Sequence, residues 1–74
     1  MDNDYKDHHI HVSVLHFSDG WKPRLFVSWF DGKQEKSRLF TIQQTYRQAI
    51  EAEQRGVQFA QKWIADGKPE LEKF

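Results

Sequence analysis

The sequence has no cysteine, only two prolines and no net charge. The absence of cysteine excludes disulfide bonds, thiolate zinc sites and thiol catalysis. No apolar run approaches the roughly 18 residues that a membrane-spanning helix needs, and the acidic, polar residues 1–4 are unlike a signal peptide. We therefore expect a cytoplasmic protein that does not enter the membrane.

The chain is short and rich in aromatic residues. It has 74 residues, of which 15% are aromatic and 30% are charged. A chain of this length is expected to form one small domain, and large rings bury much apolar area per residue in such a domain. Eleven cations balance eleven anions, whereas dedicated nucleic-acid binders usually carry a basic excess.

The spacing of apolar residues changes near Thr41. Before it, apolar residues alternate in His9–Phe17 and Trp21–Phe30, and a third such segment follows the turn at Asp31-Gly32. After it they recur at three and four residues, as in one amphipathic helix. The pattern predicts an α+β fold, with a three-stranded antiparallel sheet and one long C-terminal helix packed on one face (β-β-β-α).

The same pattern places the domain boundaries. Residues 1–8 have no apolar periodicity and are predicted to be a disordered tail. Residues 9–67 form the single domain, and residues 68–74 form a short C-terminal tail.

Sequence signals also mark the ends and the middle of the helix. Thr41 or Thr45 can cap its start, because each has a Gln three residues later. Gly67 is placed to end it in a left-handed conformation. Gly56 costs about 1 kcal/mol relative to Ala in a helix interior, which predicts that helix and sheet approach closely there.

The turn at Asp31-Gly32 allows two registers for the third strand. A two-residue loop places Lys36 and Arg38 on the same face as Leu25, Val27 and Trp29. A three-residue loop turns both cations to the opposite face and puts Ser37 and Leu39 on the apolar face. Burying two unpaired cations would cost several kcal/mol, so we expect the three-residue loop.

With that register, the sheet face away from the helix carries the candidate binding residues Arg24, Phe26, Phe30, Lys36 and Arg38. Cations interleaved with aromatic rings suit nucleic acid. An exposed aromatic patch equally suits a protein partner or a homodimer. Because the net charge is zero, we predict a protein partner or a second copy, with nucleic acid as the alternative.

Two histidines are the candidate metal ligands. His9 and His11 lie two apart on a strand, so their imidazoles project to one side and could share a metal. Spacing fixes no third or fourth ligand, so polar residues on an open face are the favoured interpretation and no metal site or cofactor is predicted. No catalytic pair is brought together by any motif, so we do not expect an enzyme.

The C-terminal part carries a family resemblance. The pattern Gly56-x-x-Phe59-Ala60-x-x-Trp63-Ile64-x-x-Gly67-Lys68-Pro69 after three short strands resembles a group of small uncharacterised bacterial proteins. Their helix ends in a similar F-A-x-x-W-I-D-x-G stretch, from which this chain departs because Ala65 precedes Asp66. The resemblance covers about the last two-thirds of the chain, and it implies a fold without a chemistry.

A second resemblance is to the three-stranded, one-helix DNA-binding domains of plant AP2 factors and of phage-type integrase N-termini. It is based on Trp21, the Asp31-Gly32 hairpin, Phe40 and the helix that follows. Those domains bind DNA with the outer face of the sheet, which would implicate Arg24, Lys36 and Arg38 here. The chain lacks their usual basic excess and has Tyr46 where a small residue is common.

Overall fold

The computed structural model describes residues 2–67. Within them the chain forms four strands and one helix: β1 (Asp2–Tyr5), β2 (His8–Phe17), β3 (Gly20–Asp31), β4 (Gln34–Thr41) and α1 (Ala49–Ala65). The strands pair antiparallel in sequence order, and α1 packs on β2 and β3. The predicted α+β arrangement is therefore confirmed, but the sheet has four strands instead of three. The predicted C-terminal tail, residues 68–74, lies outside the described residues.

The extra strand, β1, lies where a disordered tail was predicted. It pairs with β2 through a two-residue turn in which Lys6 and Asp7 both have positive φ, at 47° and 63°. Positive φ at both central positions is the geometry of the type I′ hairpin turn. On the helix side, Tyr5 packs against the core, and Gln61 Nε2 donates to Asn3 Oδ1 at 3.1 Å. These contacts hold a strand whose Asp and Asn residues have low strand propensity.

The core lies between α1 and the two central strands. Alternation along the strands turns every second side chain toward the helix. The buried apolar residues are Ile10, Val12, Leu25, Val27, Ala52, Ala60, Trp63 and Ile64. The predicted orientation of β2 and β3 is therefore confirmed.

Aromatic rings close one end of this core. Phe40 of β4 lies edge-on to both Phe59 and Trp63, with ring centroids 5.6 Å apart in each pair. Trp29 meets Trp63 in the same manner at 6.1 Å. Edge-to-face contacts of this kind stabilise aromatic clusters beyond their area burial, so the helix end and the sheet end are joined by rings.

The predicted close approach at Gly56 is confirmed. A Cβ built on Gly56 would lie 2.9 Å from Leu25 Cδ2, 2.9 Å from Val12 Cγ1 and 3.1 Å from Pro23 Cβ. Carbon atoms in ordinary contact are about 3.5–4.0 Å apart. Glycine is therefore the residue that lets the helix backbone lie directly on the sheet.

The helix begins later than the capping patterns predicted. Its N-cap is Gln48, whose side chain makes no capping hydrogen bond, so the predictions for Thr41 and Thr45 are wrong. The preceding segment is held instead by the sheet, because Tyr46 and Trp21 exchange two backbone hydrogen bonds of 2.8 Å. At the other end, Gly67 has φ 88° and its N–H donates to Ile64 O, as predicted for a left-handed cap.

Candidate binding face

The side of the sheet away from α1 is covered by no element among residues 2–67. We call it the outer face. Its cross-strand rows follow from the register: Phe26 lies between His11 and Leu39, and the row next to it joins Ser13, Arg24 and Thr41. Its side chains are Asp2, Asp4, His9, His11, Ser13, Leu15, Phe17, Lys22, Arg24, Phe26, Ser28, Phe30, Glu35, Ser37, Leu39 and Thr41.

Large apolar side chains are exposed on the outer face. Phe30 is 68% exposed, Leu39 54% and Phe26 40%. Phe26 and Leu39 are direct cross-strand partners, and Phe30 lies four residues further along the same strand as Phe26. Single exposed apolar residues are common on protein surfaces, whereas grouped ones mark interaction sites. Phe26 and Leu39 are adjacent, and Phe30 lies beyond Ser28 on the same face. We call these three residues the apolar centre.

The hairpin register differs from the expected one. Asp31 pairs with Gln34, so the loop has two residues, and Gly32 at its first position has φ 66°. Arg38 therefore lies opposite Val27 and Lys36 opposite Trp29, on the helix side of the sheet.

Placing Lys36 and Arg38 on the helix side costs little because these cations are not buried. Helix α1 lies over β2 and β3, and the side chains of Lys36 and Arg38 on β4 stay exposed. Lys36 Nζ also lies 3.1 Å from Asp31 Oδ2. Of the predicted binding residues, Arg24, Phe26 and Phe30 lie on the outer face, whereas Lys36 and Arg38 lie on the opposite one.

Charges of opposite sign occupy different parts of the outer face. Asp2 and Asp4 lie on β1, at one edge of the sheet. Lys22 and Arg24 lie on β3, between Phe26 and the turn that joins β2 to β3. Glu35 lies opposite Phe30 on β4. Among the described residues the fixed charges of this face are thus nearly balanced, with both signs around the apolar centre.

The acidic edge is joined to two histidines. His11 Nδ1 lies 2.7 Å from Asp2 Oδ1, and His9 Nδ1 lies 3.0 Å from Asp4 Oδ1. His9 Nε2 also lies 3.4 Å from Asp2 Oδ1. The hydrogen bond with Asp4 raises the pKa of His9 above its ordinary value, and the hydrogen bond with His11 lowers the pKa of Asp2. The predicted common side of His9 and His11 is confirmed.

These histidines do not form a recognisable metal centre. Within residues 2–67, no group of three or more His, Asp or Glu side chains has a geometry that could hold a metal ion. The imidazoles instead contact carboxylates that the sequence analysis had placed in a tail. The cluster connects β1 to β2 through hydrogen bonds between carboxylates and imidazoles.

A recess adjoins the apolar centre at the β1–β2 turn. It has a volume of about 420 Å³. Phe30 forms one wall, and Asp4, His9 and Glu35 contribute polar side chains. The recess therefore combines an aromatic side chain with polar ones.

Three residues of the outer face were not predicted from the sequence. Leu39 was assigned to the helix side because of the register error. Asp2 and Asp4 were missed with β1 itself, because Lys6-Asp7 is not one of the dipeptides that usually mark a hairpin turn. The only available signal was Tyr5, an aromatic ring directly before the Lys6-Asp7 turn.

The chain was compared with protein-family models, with curated proteins and with solved structures, and none of them matches. Separately, α1 lacks the length and apolar character that a membrane-crossing helix requires, and no other helix occurs in residues 2–67.

Proposed function

We propose that this protein is a non-enzymatic interaction module that binds another protein through the outer face. The observation that carries the proposal is the apolar centre. Phe26, Phe30 and Leu39 are 40%, 68% and 54% exposed on a sheet face that no described element covers. Covering such side chains removes apolar surface from water, which is the dominant favourable contribution in most protein association.

The surroundings of the apolar centre support a protein partner. Protein interfaces combine an apolar, aromatic centre with a polar rim that stays wet. Here the rim carries Asp2 and Asp4 on one side, Lys22 and Arg24 on another, and serines between them. A rim with both signs of charge can fix the orientation of a partner without requiring that the partner be strongly charged.

Nucleic acid is less well supported than the sequence alone suggested. The face was expected to present Arg24, Lys36 and Arg38 together, but the last two lie on the helix side. The cations left among the described outer-face residues, Lys22 and Arg24, share the face with three carboxylates. Phosphate binding depends on an excess of positive charge, and the outer face as a whole has none, since its two cations are outnumbered by three carboxylates.

The proposal can be tested by site-specific photo-crosslinking in cells. A photoreactive phenylalanine analogue replaces Phe26 in one variant and the exposed helix residue Gln54 in a matched control. We expect defined protein adducts from position 26 that are absent from position 54, because the outer face is occupied and the outer side of α1 is not. Mass spectrometry then identifies the adducts.

Two results would count against the proposal. One is the absence of adducts from position 26 while a second probe, at Phe30, is also silent. The other is an equal set of adducts from positions 26 and 54, which would show contact without preference for the outer face.

A further inference from the structure

We propose that the partner on the outer face is a second copy of this chain. The two sheets pack face to face around Phe26, and Asp2 and Asp4 of each copy face Lys22 and Arg24 of the other. The inference rests on the proposed function, because it uses the same face and adds the identity of the partner.

The positions of the charges carry this inference. Phe26 lies in one cross-strand row with His11 and Asp2, so the acidic pair lies to one side of Phe26, across the strands. Arg24 and Lys22 lie along β3 from Phe26 toward the β2–β3 turn, so the direction from Phe26 to the basic pair is roughly perpendicular to the direction to the acidic pair. Phe26 thus lies between the acidic pair on one side and the basic pair on a perpendicular side.

A diagonal two-fold axis exchanges these two regions. If the axis lies between two facing sheets and runs obliquely past Phe26, the acidic edge of each copy comes over the basic part of the other. The same contact then occurs twice, as in any isologous dimer. The strands of the two sheets would cross steeply, which is the orthogonal class of sheet packing.

Charge also argues for a copy over a partner of one sign. The chain has eleven cations and eleven anions, so two copies do not repel each other as a whole. A strongly acidic partner would meet Asp2 and Asp4, and a strongly basic one would meet Lys22 and Arg24. The same face in a second copy presents each charge where its opposite is needed.

The first test uses charge reversal at two exposed positions. Asp4→Lys puts like charges in contact twice in the dimer, and so does Arg24→Glu. Like-charge contacts at an interface cost up to several kcal/mol, so each variant alone should weaken dimerisation at least about tenfold in sedimentation velocity. In a mixture of the two variants one of the two contacts is again that of the unmodified chain, so a heterodimer should form more tightly than the homodimer of either variant.

The matched controls are Glu51→Lys and Arg55→Glu, which make the same charge changes on the exposed side of α1. They should leave the dimer unchanged. The proposal fails if the unmodified chain stays monomeric up to about 1 mM, the weak end of measurable affinity. It also fails if mixing the two outer-face variants restores nothing. In either case crosslinking from position 26 to a different protein would leave the proposed function intact, whereas silence at both position 26 and position 30 would remove both proposals.

A second measurement does not depend on charge. Because the chain has no cysteine, a single introduced cysteine can show which surface lies near the two-fold axis of the dimer. Ser13 lies beside the Phe26 row on the outer face, and Ser18 lies in the β2–β3 turn, away from it. A short bis-maleimide should join two copies of Ser13→Cys and leave Ser18→Cys monomeric. Equal crosslinking of both variants would contradict the sheet-to-sheet arrangement.

Discussion

The Oδ1 atom of Asp2 lies 2.7 Å from Nδ1 of His11, across the pair formed by β1 and β2. With Asp4 and His9 beside them, the outward side chains of β1 are both carboxylates and they face imidazoles. The pairing of β1 with β2 is therefore linked to the protonation of the histidines on β2 that contact Asp2 and Asp4. On the other side of the same strand the contacts are made by Asn3 and Tyr5 and carry no charge.

The first prediction concerns the pH dependence of β1. His9 has a raised pKa, so its contribution to stability is complete below the ordinary value of 6.5 and is lost as pH rises through the folded value. Asp2 has a lowered pKa, so its contribution is present above 3.8 and is lost as pH falls through the folded value. We expect the β1 amides to be better protected from hydrogen exchange, after correction for intrinsic rates, at about pH 5.5 than at about pH 8.5.

Two histidine variants separate this effect from a general response to pH. His9→Gln should reduce the difference in β1 protection between the two pH values, because the titrating partner of Asp4 is gone. His16→Gln changes a histidine stacked on Trp21, outside the Asp–His cluster, and should leave the difference in place. A difference that survives His9→Gln undiminished would show that this pair does not control β1.

The second prediction concerns Gly56. Replacing Gly by Ala in a helix interior normally stabilises it by about 1 kcal/mol. Here the added Cβ would lie 2.9 Å from both Leu25 Cδ2 and Val12 Cγ1, which are fully buried. Overpacking of this kind costs about 1–3 kcal/mol, so Gly56→Ala should lower the free energy of unfolding by about 1 kcal/mol overall. Urea denaturation measures this change in the free energy of unfolding.

Gln54→Ala is the control for that substitution. It adds the same residue to the same helix at an exposed site and should change stability by less than about 0.5 kcal/mol. An increase in stability from Gly56→Ala would mean that the helix can move away from the sheet at no cost.

The third prediction compares two phenylalanines of the β3–β4 hairpin. Phe40 packs against Phe59 and Trp63, so Phe40→Ala should lower the free energy of unfolding by about 2–3 kcal/mol, somewhat less than for a fully buried ring. Phe30 is 68% exposed, and Phe30→Ala should change the free energy of unfolding by less than about 0.5 kcal/mol. Equal losses from the two variants would place both rings in one core and contradict the outer face.

Periodicity predicted the structural features that depend on one segment of the chain alone. The two faces of β2 and β3, the helix after Thr41 and its end at Gly67 all follow from local side-chain patterns and backbone preferences. The close approach at Gly56 followed because a glycine inside an amphipathic helix is unfavourable without a packing reason. The candidate site was predicted to the same extent: Phe26 and Phe30 face outward because their own strand alternates.

The errors arose where one segment depends on another. The register of β4 was argued from the cost of burying Lys36, but burial at that position is decided by how far α1 reaches across the sheet. The strand β1 has polar residues and an unusual turn, and it forms because Tyr5 reaches a core and Asp2 reaches histidines that other segments supply. No property of residues 2–5 alone contains that information.

The last prediction concerns nucleic acid. The AP2-like alternative requires that the outer face attract phosphates, yet Arg24 and Lys22 share that face with Asp2, Asp4 and Glu35. In an NMR titration with mixed-sequence duplex DNA, we expect no shifts centred on Arg24 and its row. Genuine binding there would produce shifts that weaken steeply with salt, with a slope near the number of phosphates contacted. Such shifts, abolished by Arg24→Gln and kept in the helix variant Arg55→Gln, would make nucleic acid the ligand of this face and overturn the preference for a protein.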